Sequence, residues 1–261
     1  LSGIRTGDID VYMEMWIENV QEIYDEMIAN GDILNLALNF DAPYQGYYVP
    51  TYVIEGDPSR GIEPMAPDLK SVFDLPKYWE LFMDPENRNK GRLYGGIAGW
   101  EVDGTLSIKH ETYGLNETFT YFSPGSETAL NASLISAYEK GEPWVGYNWE
   151  PTWIMSKYDM TLLEEPEYTE EGWADGFGVA FPANTVAVTV NSGMVEKAPE
   201  VTDFLSKYET SSDLTGEALL YMMENDASVE ETAEWFLREH EALWTAWVPA
   251  DVADKVKEAL K

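Results

Sequence analysis

The chain contains no cysteine. Disulfides, thiolate nucleophiles and cysteine-ligated zinc are therefore excluded, and an oxidising compartment is compatible with this composition. Cations are also scarce, because 16 Lys and Arg stand against 48 Asp and Glu and give a formal net charge of −32. We predict no nucleic-acid partner, since binding nucleic acid needs clustered basic residues that neutralise phosphates. The acidity itself indicates solubility, including in salty surroundings where like charges are screened.

No apolar run is long enough to cross a membrane, and no secretion signal stands at the start of the sequence. Residues 1–10 read as the middle of a domain. We therefore expect that the chain has been processed or trimmed, and that any signal or lipid anchor is not in this sequence.

Histidine occurs only at His110 and His240, and neither has a partner at metal-ligand spacing. Both are interpreted as structural, because a general base needs positioned partners. No Gly-x-Ser-x-Gly elbow is present, and residues 95–99 (Gly-Gly-Ile-Ala-Gly) lack the order of a phosphate-binding loop. We predict a protein that is not an enzyme, without catalytic residue, metal or cofactor. A carbohydrate-active protein with paired carboxylates, such as a glycosidase, stays open as the alternative, because 48 acidic residues offer many pairs.

Extended and helical patterns alternate along the chain. Residues 11–15, 34–40, 47–54 and 92–98 favour strands, the last of them ending at Gly99-Trp100. Ser228 begins a capping box with Glu231 three residues later, which predicts a helix start. The alternation predicts an α/β fold with mostly parallel sheets.

Two stretches rich in Gly, Pro and acidic residues, 55–68 and 164–178, interrupt this alternation. They predict two lobes. Residues 1–55 and 180–261 would form lobe 1, and residues 56–179 would form an inserted lobe 2. Two crossings of the chain between the lobes would make a hinge.

Three of the ten tryptophans, Trp16, Trp100 and Trp149, each close a predicted strand. In open α/β sheets, ligands bind beyond the carboxyl ends of the strands. One such residue alone is better explained by packing, because Trp serves readily as a core residue. Three at equivalent positions indicate a binding site lined by aromatic rings.

Six segments follow one another over nearly the whole chain: Gly-Asp-Ile-Asp-Val at 7–11 with Trp16 downstream, Gly-Tyr-Tyr-Val-Pro-Thr-Tyr at 46–52, Ile-Ala-Gly-Trp at 97–100, Trp-Glu-Pro-Thr-Trp at 149–153, Tyr-Asp-Met-Thr-Leu-Leu-Glu-Glu-Pro at 158–166, and Trp-Thr-Ala-Trp-Val-Pro at 244–249. In this order and spacing, the chain resembles the substrate-binding proteins of glycine betaine and proline betaine uptake transporters of the ATP-binding-cassette class.

The resemblance implies a type II, two-lobed periplasmic-binding-protein-like fold with the ligand in the cleft between the lobes. It implies that Trp16, Trp100 and Trp149 box a trimethylammonium group, and that the backbone N–H groups of Glu101 and Val102 hold the ligand carboxylate. It further implies a membrane permease as partner, a monomer, and a location in the periplasm or on the extracellular face of the membrane. It also implies a further strand–helix–strand unit before the first matching segment, which we expect to be missing from this sequence.

The ligand stays open among glycine betaine, proline betaine, carnitine, choline and sulfonium analogues. Glu101 and Asp103 stand where the resemblance implies a carboxylate subsite, and their charges would favour a cation without a carboxylate, such as choline. Each desolvated cation–π contact contributes roughly 2 kcal/mol, so three give about 6 kcal/mol. Micromolar affinity needs about 8 kcal/mol, so a carboxylate subsite or a further acidic partner such as Glu14 or Glu150 must supply the rest.

Overall fold

The structure, a computed structural model, describes residues 1–42 and 44–261. Its elements in chain order are α1 (Ser2–Thr6), β1 (Val11–Trp16), a 3-10 turn (Ile17–Val20), α2 (Gln21–Asn30), β2 (Ile33–Ala42), β3 (Gln45–Pro50), α3 (Thr51–Glu55), a 3-10 helix (Val72–Tyr78), β4 (Gly91–Tyr94), α4 (Glu101–Thr112), a 3-10 turn (Leu115–Glu117), β5 (Phe119–Phe122), α5 (Glu127–Lys140), β6 (Gly146–Trp149), α6 (Trp153–Lys157), β7 (Met160–Leu162), α7 (Glu170–Ala174), β8 (Asn184–Asn191), α8 (Met194–Lys197), α9 (Pro199–Leu205), α10 (Ser212–Glu224), α11 (Val229–Glu239), α12 (Glu241–Trp244) and α13 (Ala250–Ala259).

The chain divides into two units. Unit 1 comprises Leu1–Pro43, Glu150–Ser156 and Ala183–Lys261, and unit 2 comprises Tyr44–Trp149 and Lys157–Pro182. Residues 44–55, which the sequence analysis assigned to lobe 1, thus lie in unit 2, and the short segment from residue 150 lies in unit 1.

Unit 1 is built on a three-stranded sheet in the order β1-β8-β2. β8 is antiparallel to both neighbours, so that Val190 pairs with Val11 on one side and with Leu34 on the other. Residues 186–190 are fully buried, as expected of a central strand covered on both faces. β1 and β2 run parallel to each other, because each is antiparallel to β8, and α2 joins them along the chain.

Unit 2 is built on a five-stranded sheet in the order β5-β4-β6-β3-β7. β4 runs parallel to β5 and β6, whereas β3 is antiparallel to β6 and β7. Its core brings together residues from the strands and from α4, among them Tyr47, Leu93, Leu106 and Phe119, all at most 1% exposed.

The expected α/β class is confirmed, but the expectation of mostly parallel sheets is wrong. Among the strands of the described ranges, only β4, β5 and β6 pair in parallel. The reason in unit 1 is that β8 arrives from a distant part of the chain and inserts between two parallel strands in the opposite direction. Within residues 1–42 and 44–261, no helix combines the length and the apolar character needed to span a membrane.

Candidate ligand-binding site

The indole rings of Trp100 and Trp149 lie together at one edge of unit 2. Their ring centroids are 5.5 Å apart and their planes are inclined by 58°. Trp149 is the last residue of β6, and Trp100 directly precedes α4. β4 and β6 are parallel, so their carboxyl ends lie side by side. Because α4 follows β4, the start of this helix lies near the carboxyl end of β6, and Trp100 meets Trp149 there. Two of the three predicted tryptophans therefore form one aromatic corner.

The Trp149 ring packs against Tyr147. Their rings stack with centroids 5.6 Å apart and planes inclined by 25°. The Tyr147 hydroxyl donates to Gln45 Oε1 at 3.0 Å, and burial raises the pKa of this phenol, which keeps it protonated. Tyr147 and Trp149 are on the same face of β6, as alternation along a strand requires. A buried, hydrogen-bonded ring thus supports the outer one.

Trp100 is the more exposed member of the corner, with 44% of its surface accessible. Trp100 was expected to close a strand, and this expectation is wrong, since β4 ends at Tyr94. A glycine-rich loop separates the two, and Gly99 takes a φ of +92° that a side chain would strain. The loop returns on itself through a hydrogen bond from the Trp100 N–H to the Ile97 carbonyl at 2.9 Å.

Glu101 and Val102 are the first two residues of α4. Backbone N–H groups at these positions have no acceptor inside a helix, and they are oriented toward its N-terminal end, where an anion is favoured. The Glu101 side chain is exposed, and Val102 packs partly against the core of unit 2. Asp103 does not extend into solvent, because its carboxylate accepts hydrogen bonds from the hydroxyls of Tyr121 and Ser123.

Trp16 is the last residue of β1 in unit 1, as predicted. Its ring makes an edge-to-face contact with Phe40, with centroids 6.4 Å apart. Burial raises the pKa of the nearby Glu14 carboxyl, and the Trp16 indole opposes this rise. Trp16 is half-buried, so part of the ring is available to a ligand.

A second group of aromatic residues in unit 2, which sequence reasoning missed, surrounds a lysine of the protein itself. Lys109 on α4 is fully buried and pairs with Glu165 at 3.0 Å. Its amine also donates to the Val179 carbonyl and lies 4.8 Å from the ring centroid of Phe181 and 5.7 Å from that of Trp173. Because the Lys109 amine already lies against these rings, we do not consider them as ligand contacts. The spacing of Lys109 from residues 165–181 carries no local pattern that would have shown this.

The two histidines have different surroundings, and His240 Nε2 lies 3.4 Å from the Glu217 carboxylate. Burial lowers the pKa of His110 to about 4, so the ring is neutral at physiological pH. His240 lies at the end of α11 beside Phe236, with ring centroids 4.5 Å apart. Within the described part of the chain, no cluster of His, Cys, Asp or Glu has the arrangement of a metal site.

Several known proteins resemble this chain in sequence or in structure. The trimethylamine N-oxide-binding protein of Pelagibacter ubique is 23% identical over 93% of this chain and 76% of its own length. The glycine betaine/proline betaine-binding periplasmic protein of Salmonella typhimurium is 22% identical over 97% of this chain and 78% of its own. The crystal structure of the glycine betaine, L-proline ABC transporter binding protein of Borrelia burgdorferi has a TM-score of 0.64 at 20% identity and covers 98% of this chain and 84% of that one.

The fold is therefore that of the two-lobed periplasmic binding proteins, a class that binds small solutes and is not built around catalysis. The family described as the substrate binding domain of the ABC-type glycine betaine transport system matches residues 1–239. The chain belongs to this family.

Proposed function

We propose that this chain captures a small methylated ammonium compound against Trp100 and Trp149 and delivers it to the membrane permease of an ABC transporter. The observation that carries the proposal is the aromatic corner, two indole rings 5.5 Å apart at the carboxyl end of β6. We further propose a location in the periplasm or on the extracellular face of the membrane, a monomeric state and no catalytic step.

The chemistry of the corner suits a quaternary ammonium group. Such a group cannot donate N–H hydrogen bonds, and it spreads its charge over methyl groups. Aromatic faces match both features, because they are apolar and carry negative quadrupole density. A cation between two inclined rings lies within about 6 Å of both centroids, the range in which the attraction is effective. The exposure of Trp100 supports this role, since 44% of its surface is open to such a partner.

Trp16 is proposed as the third ring, contributed by unit 1. The support is its place at the end of β1 and its half-buried ring. The N–H groups of Glu101 and Val102 are proposed to hold the oxygen end of the ligand, since N–H groups at a helix N-terminus favour negative charge.

Glycine betaine is the ligand that we propose first. Asp103 is occupied by two hydroxyl donors, so Glu101 is the acidic side chain left at the start of α4 to oppose a carboxylate. The exposure of Glu101 allows it to turn into solvent. Choline, carnitine, sulfonium analogues and trimethylamine N-oxide share the compact methylated cation and are the ligands to compare.

The test is calorimetric titration of the wild-type chain with glycine betaine, choline, trimethylamine N-oxide and a neutral sugar. We expect binding of at least one methylated cation and none of the sugar. Trp100→Ala should weaken that binding at least tenfold, because a desolvated cation–π contact contributes about 2 kcal/mol. It should leave the fold intact, since the ring is not part of the core.

The matched control is Trp235→Ala. Trp235 is a half-buried tryptophan of unit 1 that stacks on Tyr221 at 4.2 Å, and it should not alter the affinity. Unchanged affinity in Trp100→Ala would remove Trp100 from the site. Binding of the sugar and of no cation would contradict the proposed function and favour the carbohydrate-active alternative.

A further inference from the structure

The loop between β4 and α4 is held against β5 at unusually short range. A Cβ atom on Gly95 would lie 2.0 Å from Cζ of Tyr121, and one on Gly96 would lie 2.7 Å from Cα of Asp103. Neither position has room for a side chain. The two glycines therefore allow the Tyr121 ring and the first turn of α4 to approach the backbone of the loop.

The Tyr121 hydroxyl connects the loop to the helix. It accepts a hydrogen bond from the Gly96 N–H at 3.0 Å and donates to Asp103 Oδ1 at 2.9 Å. Ser123 Oγ donates to the same carboxylate oxygen. The backbone of Asp103 also donates to the Trp100 carbonyl at 3.1 Å. We call these three side chains, Asp103, Tyr121 and Ser123, the brace.

The brace is suited to keep one arrangement. Burial, reinforced by the adjacent carboxylate, raises the pKa of the Tyr121 phenol, so the hydroxyl keeps the proton that it donates. Hydrogen bonds to an ionised acceptor are shorter and stronger than bonds between neutral groups. The carboxylate of Asp103 also stands in the first turn of α4, where a negative charge is favourable.

We propose that Asp103, Tyr121 and Ser123 are positioning residues, which set the place of the Trp100 ring and of the first N–H groups of α4 without contacting the ligand. The expected effect on ligand binding rests on the proposed function, whereas the expected effect on the position of the Trp100 ring does not. Asp103 thus has a different role from the one that its charge alone suggests. The carboxylate acts on the protein as a hydrogen-bond acceptor, and it does not act on the ligand as an anion.

The experiment uses the full chain labelled with 5-fluorotryptophan, observed by fluorine NMR and titrated with glycine betaine and choline. Trp100→Phe assigns the Trp100 resonance, and Trp235→Phe assigns a reference in unit 1. The variants are Tyr121→Phe, Asp103→Ala, Asp103→Asn and Ser123→Ala. Tyr113→Phe is the matched control, because its hydroxyl belongs to the residue after α4 and has no hydrogen-bond partner among residues 1–42 and 44–261.

Tyr121→Phe and Asp103→Ala should each shift or broaden the Trp100 resonance and leave the reference unchanged. Each should weaken binding about tenfold, because each removes at least one hydrogen bond to a charged group. Their combination should be no worse than the stronger single variant, since both act through one network. Asp103→Asn should keep the resonance and bind within about twofold of the wild type, because the amide oxygen still accepts. The affinity of Ser123→Ala should lie between those of Asp103→Asn and Asp103→Ala. Tyr113→Phe should change neither the Trp100 resonance nor the affinity.

Two results would overturn the proposal. One is a Trp100 resonance unaffected by Tyr121→Phe and Asp103→Ala in folded protein. The other is a loss of affinity in Asp103→Asn as large as in Asp103→Ala, which would mean that the charge acts on the ligand. If Asp103→Ala does not fold, Ser123→Ala decides the first point. A wild-type chain that binds no methylated ligand, trimethylamine N-oxide included, would contradict the proposed function, while the resonances would still decide the role of the brace.

Discussion

Acidification should destabilise the protein through His110. The ring is only 4% exposed, and burial lowers its pKa from 6.5 to about 4 against a hydrogen bond to the backbone of Phe119. The folded state therefore binds a proton less readily than the unfolded state. Stability is highest above the unfolded pKa and is lost as the pH falls through the window from 6.5 to about 4. The direction follows from the neutral form being the one that is buried.

The magnitude follows from the two pKa values. Between about pH 7 and pH 5 the unfolded histidine becomes almost fully protonated while the folded one stays mostly neutral, which removes about 2 kcal/mol from the free energy of unfolding. The assay is urea unfolding of the wild type and of His110→Gln at both pH values. His110→Gln does not titrate, and the carboxylates are common to both chains. The difference between the two chains should therefore shrink by about 2 kcal/mol on acidification. A difference independent of pH would refute the reasoning.

Three further predictions concern stability. Lys109→Met should lower the free energy of unfolding by about 3–5 kcal/mol, because Glu165 is left buried without its cation, and adding Glu165→Leu should restore most of it in urea unfolding. Gly104→Ala in α4 should raise the free energy of unfolding by about 0.5–1 kcal/mol, since no atom lies within 4 Å of the added Cβ. Gly95→Ala should lower it, because the added Cβ displaces Tyr121. Thermal unfolding of the two variants should therefore shift in opposite directions. Added NaCl should raise the melting temperature, because the net charge of −32 repels itself, and a lower melting temperature in salt would contradict this.

Patterns that depend on near neighbours were predicted well. Leu34 to Phe40 alternate, and they lie in β2. Ser228 accepts from the Glu231 N–H at 3.2 Å and Glu231 accepts from the Ser228 N–H at 2.8 Å, which is the predicted capping box. Trp16 and Trp149 end their strands as expected. Each of these features depends on residues close together in the chain, and such local patterns can be recognised in a single sequence.

Features decided by distant parts of the chain were not predicted. The extended segment expected over 47–54 ends at Pro50, and Thr51 begins α3, because Tyr52 and Val53 turn into the core of unit 2. The antiparallel direction of β8 depends on where a strand from residue 184 onward inserts. Two of the aromatic residues around Lys109, Trp173 and Phe181, also come from a segment more than fifty residues away.

The candidate site divides in the same way. Its residue types were predictable, because a strand end followed by Trp is visible in the sequence and Trp suits a cationic ligand. The arrangement of Trp100 was not, because it depends on Tyr121 and Ser123, which stand 21 and 23 residues later in the sequence. Asp103 shows the consequence most clearly. Its charge suggested a conflict with a ligand carboxylate, and its hydrogen bonds direct that charge toward β5.

The energetics of the corner indicate why a second contribution is needed. Two desolvated cation–π contacts give about 4 kcal/mol, which corresponds to a dissociation constant of roughly 1 mM before any ordering cost. Trp100 and Trp149 alone would therefore release a ligand far too readily for uptake from dilute solution. The missing free energy must come from groups outside the pair, and Trp16 with the N–H groups of Glu101 and Val102 are the proposed sources. Removing any one of these groups should therefore weaken binding measurably, as expected for Trp100→Ala.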